Sequence, residues 1–378
     1  MIPKPFFSPR LAAGIPSLWG VCILLLAGCQ GPDAQQSEAA ANLSEVVSSD
    51  TSDTSLTLEK RIDALTQEIK GSPTNYALYE DRSLVYYKMG ETQNAQADIE
   101  KALELNPDGT NLYYLRGFYA YQNQDTATAR QAYNQAEQLG STNPEVFYQR
   151  GQLSFFQQKY EEAVADYRKA AELDSLDPTY PFAEGFLFQR TGNGEAAKEA
   201  YRKALELNPQ FDKVLLQLHD LELDYFKDPL QASGYNDRVL ERNPEHPVAL
   251  YNKANHFYRT ALVHRQSGER EAYQRAANEA VVYYTLAINK EANFADPYFF
   301  RGYCYFMGEE RLDLAMEDFK KTLELDSTHV QAHFFLGSVY EYYQDLKSAL
   351  AHYERASAYD PSFTDAKMAV KDLKMRLK

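Results

Sequence analysis

Tryptophan and cysteine are almost missing from this chain: one Trp and three Cys in 378 residues. Three cysteines cannot staple a body of this size, so a disulfide framework is excluded and stability must come from packing. Nor is the chain apolar enough to span a membrane many times, at 44% hydrophobic residues and a mean hydropathy of −0.55. Positive charge is scarce as well. Lys and Arg total 39 against 54 Asp and Glu, net −15, which excludes DNA and RNA as partners because phosphate binding needs a basic footprint. Abundance lies elsewhere, in 29 Tyr and 20 Phe, and those rings need somewhere to pack.

The N-terminus has Lys4 and Arg10, then an apolar stretch from Leu11 to Leu26 broken by Pro16, which is the grammar of a signal peptide over residues 1–28. The stretch ends Leu26-Ala27-Gly28-Cys29 and resembles the lipobox of bacterial lipoproteins. That resemblance implies cleavage before Cys29 and lipidation of its sulfur. Cleavage would reduce 39 basic side chains to 37 against an unchanged 54 acidic ones, net −17, and would remove Trp19. Gln30 after the cysteine implies, within that family, sorting to the outer membrane of a two-membrane bacterium. Cys22 leaves with the leader and Cys29 becomes a thioether, so Cys304 has no intrachain partner. Residues 29–55 read as a flexible tether, rich in Ser, Ala, Asp and Gln and free of aromatic residues. As a coil, its reach is about 28 Å.

Beyond the tether the chain repeats every 34 residues. Ala95, Ala129, Ala163 and Ala197 keep that step, as do Ala102, Ala136, Ala170 and Ala204; Tyr133, Tyr167 and Tyr201; and Gly117, Gly151 and Gly185. The pattern resembles the tetratricopeptide repeat, two antiparallel helices A and B per repeat, with small residues at positions 8, 20 and 27 and large ones near 4, 11 and 24. Small residues let the two helices approach, and aromatic ones fill what remains. The implied fold is an all-α, right-handed solenoid of eight repeats over residues 76–363, starting at Tyr76, Thr110, Pro144, Pro178, Lys213, Pro247, Ala295 and Val330. The fifth repeat departs most, with Asp220 at position 8, Asn236 at 24 and Pro229 between its helices. The sixth is longer, residues 247–294, and its extra residues predict helices of about 247–266 and 269–289 around Ser267-Gly268, protruding by about 10 Å. An amphipathic helix at 56–70, within an N-terminal docking segment 56–75, and a capping helix over 364–378 close the ends.

In this family the concave side is lined by helix A at positions 2, 5, 9, 12 and 13, and an extended peptide or partner helix lies there. Those positions give Tyr87, Tyr114, Phe118, Tyr121, Tyr148, Phe155, Phe156, Phe182, Phe186, Tyr251, Tyr258, Phe299, Tyr303, Phe306, Phe334 and Tyr342, with Lys88, Arg190, Asn255 and Arg259 interleaved. A row of exposed rings is an apolar patch that a monomer seldom keeps unless it binds something. The rings could instead pack on the next repeat. The Lys and Asn clamp of the subtype that grips a C-terminal carboxylate is absent: Glu80, Leu84, Leu115, Glu145 and Gln149 stand there.

Signals for chemistry are thin. Gly192-Asn193-Gly194 fits a loose dinucleotide fingerprint but follows a helix where the mechanism requires a strand. His329 and His333 have a chelating spacing without the accompanying acid, and Cys304 lies in an aromatic helix as a small hydrophobe. No metal, cofactor or catalytic residue is expected. The expected function is a non-enzymatic envelope lipoprotein, anchored through its N-terminal lipid, that holds a protein or peptide partner as an adaptor or scaffold. The rival is a glycan-binding outer-membrane lipoprotein of the starch-utilisation type, whose aromatics stack on sugars.

Overall fold

The computed structural model describes residues 55–308 and 311–377. The expected leader, Cys29 and the tether up to residue 54 lie outside them. Among the described residues there are eighteen α-helices, one π-helical segment and no strand. None of these helices is long and apolar enough to cross a membrane. The helices fall into two compact units, one ending at Val214 and the other beginning at Leu215.

The first unit holds α1 (Ser55–Gly71), then the hairpins α2 (Tyr76–Lys88) with α3 (Thr92–Leu105), α4 (Thr110–Gln122) with α5 (Thr126–Gln138), α6 (Pro144–Phe156) with α7 (Tyr160–Leu173), and α8 (Thr179–Arg190) with α9 (Gly194–Leu207). Local chemistry starts these helices. The Asn143 side chain accepts from the Glu145 N–H at the head of α6, and Asn193 accepts from Ala196 at the head of α9. Pro181 falls in the first turn of α8, where a missing N–H costs nothing. The hairpins then close on the small-against-large pairs. A Cβ on Gly117 would sit 2.5 Å from Tyr133 Cε1, and one on Gly185 would sit 2.6 Å from Tyr201 Cδ1. Both tyrosines are fully buried. On α1, Leu65 and Ile69 are the buried residues.

A second device joins helix A to helix B, and periodicity in hydrophobicity does not reveal it. Arg82 Nε and Nη2 donate to the two oxygens of Asp98, both at 2.7 Å. Arg150 does the same to Asp166 at 3.0 and 2.7 Å, and in the second unit Arg301 to Asp318 at 2.9 and 2.7 Å. These forked pairs fix the rotation of one helix against the other as well as its distance. Burial pushes the Asp166 carboxyl up even against the hydrogen bonds from Arg150.

The second unit contains α11 (Pro229–Arg242), α12 (Pro247–Gln266), α13 (Arg270–Lys290), α14 (Ala295–Met307), α15 (Leu312–Leu325), α16 (Val330–Tyr342), α17 (Leu346–Tyr359) and α18 (Thr364–Arg376). α10 (Asp212–Leu221) straddles the division and runs on as a π-helical stretch, Glu222–Phe226, that ends at Lys227 with φ 62°. The fifth repeat is therefore irregular where Asp220 and Pro229 stand. Asn236, in place of the usual ring, is buried and donates to the Ala249 carbonyl at 3.0 Å. α12 and α13 are 20 and 21 residues long against 13 for α14, which extends that hairpin by about 10 Å. On α18, Ala366 and Leu373 are buried, but Leu377 is 43% exposed because the helix has already ended.

Candidate functional site

Burial divides the expected ring row sharply. In the second unit Tyr251, Tyr258, Phe299, Tyr303, Phe306 and Phe334 are buried, and Tyr342, at the end of its helix, is exposed. Tyr303 meets Phe335 of α16 edge-on, with ring centroids 4.8 Å apart, Phe306 lies 5.4 Å from the same ring, and Phe299 packs at a tilt against His329 at 4.6 Å. Asn255 accepts from the Tyr284 hydroxyl at 2.7 Å, so it serves the hairpin interior, and Arg259 is half-buried. These buried side chains are core, and desolvation pushes the Tyr303 phenol up to about 12. In the first unit, Tyr114 and Phe118 are likewise buried, Phe118 completely.

The remaining rings of the first unit reach the surface. Tyr87, Tyr121, Tyr148, Phe155, Phe182 and Phe186 are half-buried and Phe156 is 47% exposed. Phe155 is the hub: its centroid lies 5.6 Å from Phe156, 5.9 Å from Phe186 of the next helix A, and 6.1 Å from Tyr160. Phe182 extends the row to Phe211 at 5.3 Å. Burial raises the phenols of Tyr87 and Tyr121, so at neutral pH these rings offer apolar faces and neutral hydroxyls. Arg190 is exposed at the C-terminal end of α8. The face can hold an extended ligand against a broken line of rings; it carries no assembled nucleophile, base or acid.

The weaker motifs resolve structurally. Gly192, with φ 80°, makes the turn between two helices, α8 and α9. His329 caps α16, its Nδ1 accepting from the Ala332 N–H at 3.1 Å. His333 faces Ser327 O at 3.1 Å and His352 Nδ1 at 2.9 Å, so the two spaced histidines do not converge. Among the described residues no group of three or more His, Cys, Asp or Glu could hold a metal ion. Cys304 is buried, and desolvation pushes its thiol up to about 12, well away from a reactive thiolate.

Tetratricopeptide-repeat family models match residues 81–144, 144–177, 182–211 and 295–329. The chain is a tetratricopeptide-repeat protein. Among solved structures it is similar to the hetero-tetramer Cut9–Hcn1 of the APC/C, with 16% identity, 84% of this chain and 59% of that one covered, and a TM-score of 0.52. A repeat protein from Parabacteroides merdae shares 18% identity over 70% of this chain and 98% of its own, with a TM-score of 0.49. YrrB, described as a repeat protein with an unusual peptide-binding site, shares 21% over 51% of this chain and 98% of its own, with a TM-score of 0.43. These likenesses concern fold. Tetratricopeptide repeats are typically interaction modules without catalytic function, and a protein-interaction or scaffold role follows for this one.

The sequence reading of this repeat protein missed one member of the site. Glu145, noted only as a departure from the carboxylate clamp, stands at position 2 of α6 with Tyr148 one turn on. On the B-helix side, an open cleft of about 470 Å³ is lined by Arg168 and Lys203 together with Glu172, Glu206 and Asp174. Its signs are mixed and it has no ring, so it is a solvated charged surface.

Proposed function

We propose that this chain is a non-enzymatic envelope lipoprotein that holds an extended peptide or partner segment on the A-helix face of its first unit, as an adaptor or assembly scaffold. The observation that carries the reading is the open ring cluster around Phe155, with Phe156 47% exposed beside it. A ring of this size offers ~150 Å² of surface and stabilises a complex by ~2 kcal/mol when buried. Three or four such anchors support micromolar binding after the costs of association. The envelope anchor rests on Leu26-Ala27-Gly28-Cys29 alone.

The test combines two experiments. Intact-mass analysis of the expressed chain should show loss of residues 1–28 and a lipid adduct, and Cys29→Ser should abolish both; an unprocessed N-terminus would remove the anchor from the proposal. Pull-down from solubilised envelope with wild-type chain and with Phe155→Ala/Phe186→Ala should recover a protein partner that the double variant loses while helicity by circular dichroism is unchanged. Recovery of oligosaccharide without protein would reverse the reading in favour of glycan capture.

A further inference from the structure

The buried acids among the described residues differ in their partners. Asp98, Asp166 and Asp318 are each gripped by an arginine fork. Glu145 is not. Its oxygens are reached by two neutral donors, the Tyr180 hydroxyl at 3.2 Å and Gln149 Nε2 at 3.4 Å, and the charge that acts on it is another acid, Asp177. The nearest arginine on α6, Arg150, is fully engaged with Asp166, Asn134 and Glu137. A half-buried carboxylate without a cation is costly, and desolvation accordingly raises its pKa.

What surrounds it is aromatic. Tyr148 and Tyr180 lie 5.6 Å apart by ring centroids, Tyr148 half-buried and Tyr180 buried. The half-buried Tyr148 ring presents a negative π-face and the half-buried carboxylate supplies a full charge. Both complement one kind of group, an ammonium or guanidinium on an apolar stem. Glu80, whose oxygen is held only by Asn111, adds a second acid at the same end of the A helices.

From this we infer that Glu145 with its tyrosines is a subsite for a Lys or Arg side chain, so that the peptide held on this face is basic as well as aromatic-seeking. The inference rests on the peptide-binding reading above and adds the charge of the ligand. The ring cluster at Phe155 supplies apolar anchorage, and Glu145 fixes register and selects sign.

The experiment uses the full chain, immobilised and panned at 50 mM NaCl against a phage-displayed library of random twelve-residue peptides. Recovered peptides should be enriched in Lys and Arg over the starting library. The tightest binder, made synthetically, should lose about tenfold in affinity with Glu145→Gln. The same loss is expected when its basic residue is replaced by citrulline or norleucine, with little further loss when both changes are made. Glu145→Gln keeps the shape of the side chain and one of its two acceptor oxygens, circular dichroism checks that the fold is retained, and Glu195→Gln on the exposed start of α9 controls for the loss of one bulk charge. Recovered peptides without basic enrichment, or equal effects of the two substitutions, would overturn the inference. Binding that survives Glu145→Gln but is lost with Phe155→Ala/Phe186→Ala overturns the charge selection and leaves the peptide reading intact. Failure to recover any peptide overturns both.

Discussion

The same repeat positions meet different fates on α6 of the first unit and on α14 of the second. On α14 the rings Phe299, Tyr303 and Phe306 are buried, and the residue against which all three pack is Phe335, at position 6 of the next helix A. In the first unit the corresponding position 6 after α6 is Ala183. With a methyl group where the other unit has a ring, Phe155 and Phe156 are left partly uncovered. A repeat signature therefore fixes where a ring stands but not whether it is core or surface. That depends on the size of one side chain a repeat away.

The largest expected effect breaks the comparison from the buried side. Phe335→Ala should destabilise the second unit by about 3–5 kcal/mol, because it leaves a cavity under three rings. Phe156→Ala should cost about 0.5 kcal/mol or less. Chemical denaturation of both variants checks the contrast, and equal losses would mean that Phe156 is core. Next, Arg150→Met should cost about 3 kcal/mol by stranding Asp166, read from the same unfolding curves; an unchanged midpoint would show that the forks are ornamental. Ala183→Phe sharpens the comparison from the other side. By covering the Phe155 cluster it should lower partner capture about tenfold while leaving helicity unchanged, which a binding titration would show.

The smallest effect is electrostatic. All seven histidines lie at or beyond residue 219, so imidazole titration belongs to the second unit. Burial, then His333, Arg355 and Lys320, lower His352 from 6.5 to about 4. A base whose folded value is depressed is protonated first in the unfolded chain, so stability present above pH 6.5 is lost as pH falls towards about 4. Asp296 works the other way. Desolvation and then Asp326 raise it to about 6, so it destabilises at neutral pH and acidification relieves it. Hydrogen exchange at pH 7 and 4.5 should show His352→Asn reducing the acid-induced loss of protection in the second unit and changing nothing in the first. Asp296→Asn should raise protection at pH 7 and have a smaller effect at pH 4.5.

Much of the fold was legible because it is written in side-chain size at fixed intervals. Gly117 and Tyr133 could be paired from spacing alone, and so could the lengthening of the sixth hairpin around Ser267-Gly268 and the disturbance at Asp220, Asn236 and Pro229. The forks from Arg82, Arg150 and Arg301 were not found by reading for apolar periodicity, since the pairing depends on two polar positions 16 or 17 residues apart across a hairpin. The candidate face was only half legible. Spacing put Tyr303 and Phe155 in one class, and packing separated them. Glu145 was visible as a residue out of pattern, but its want of a cation is a fact of three dimensions.

Sequence by itself determined the repeat and the position of each ring on its helix, because a helical period of 3.6 residues and a requirement for small residues at close contacts leave few alternatives. Only the tertiary structure decided which rings are open and which acid stands unpaired. Burial and ion pairing are properties of neighbours brought together from adjacent repeats, and a residue's own position in its repeat does not say how large, or of what charge, the side chain facing it will be.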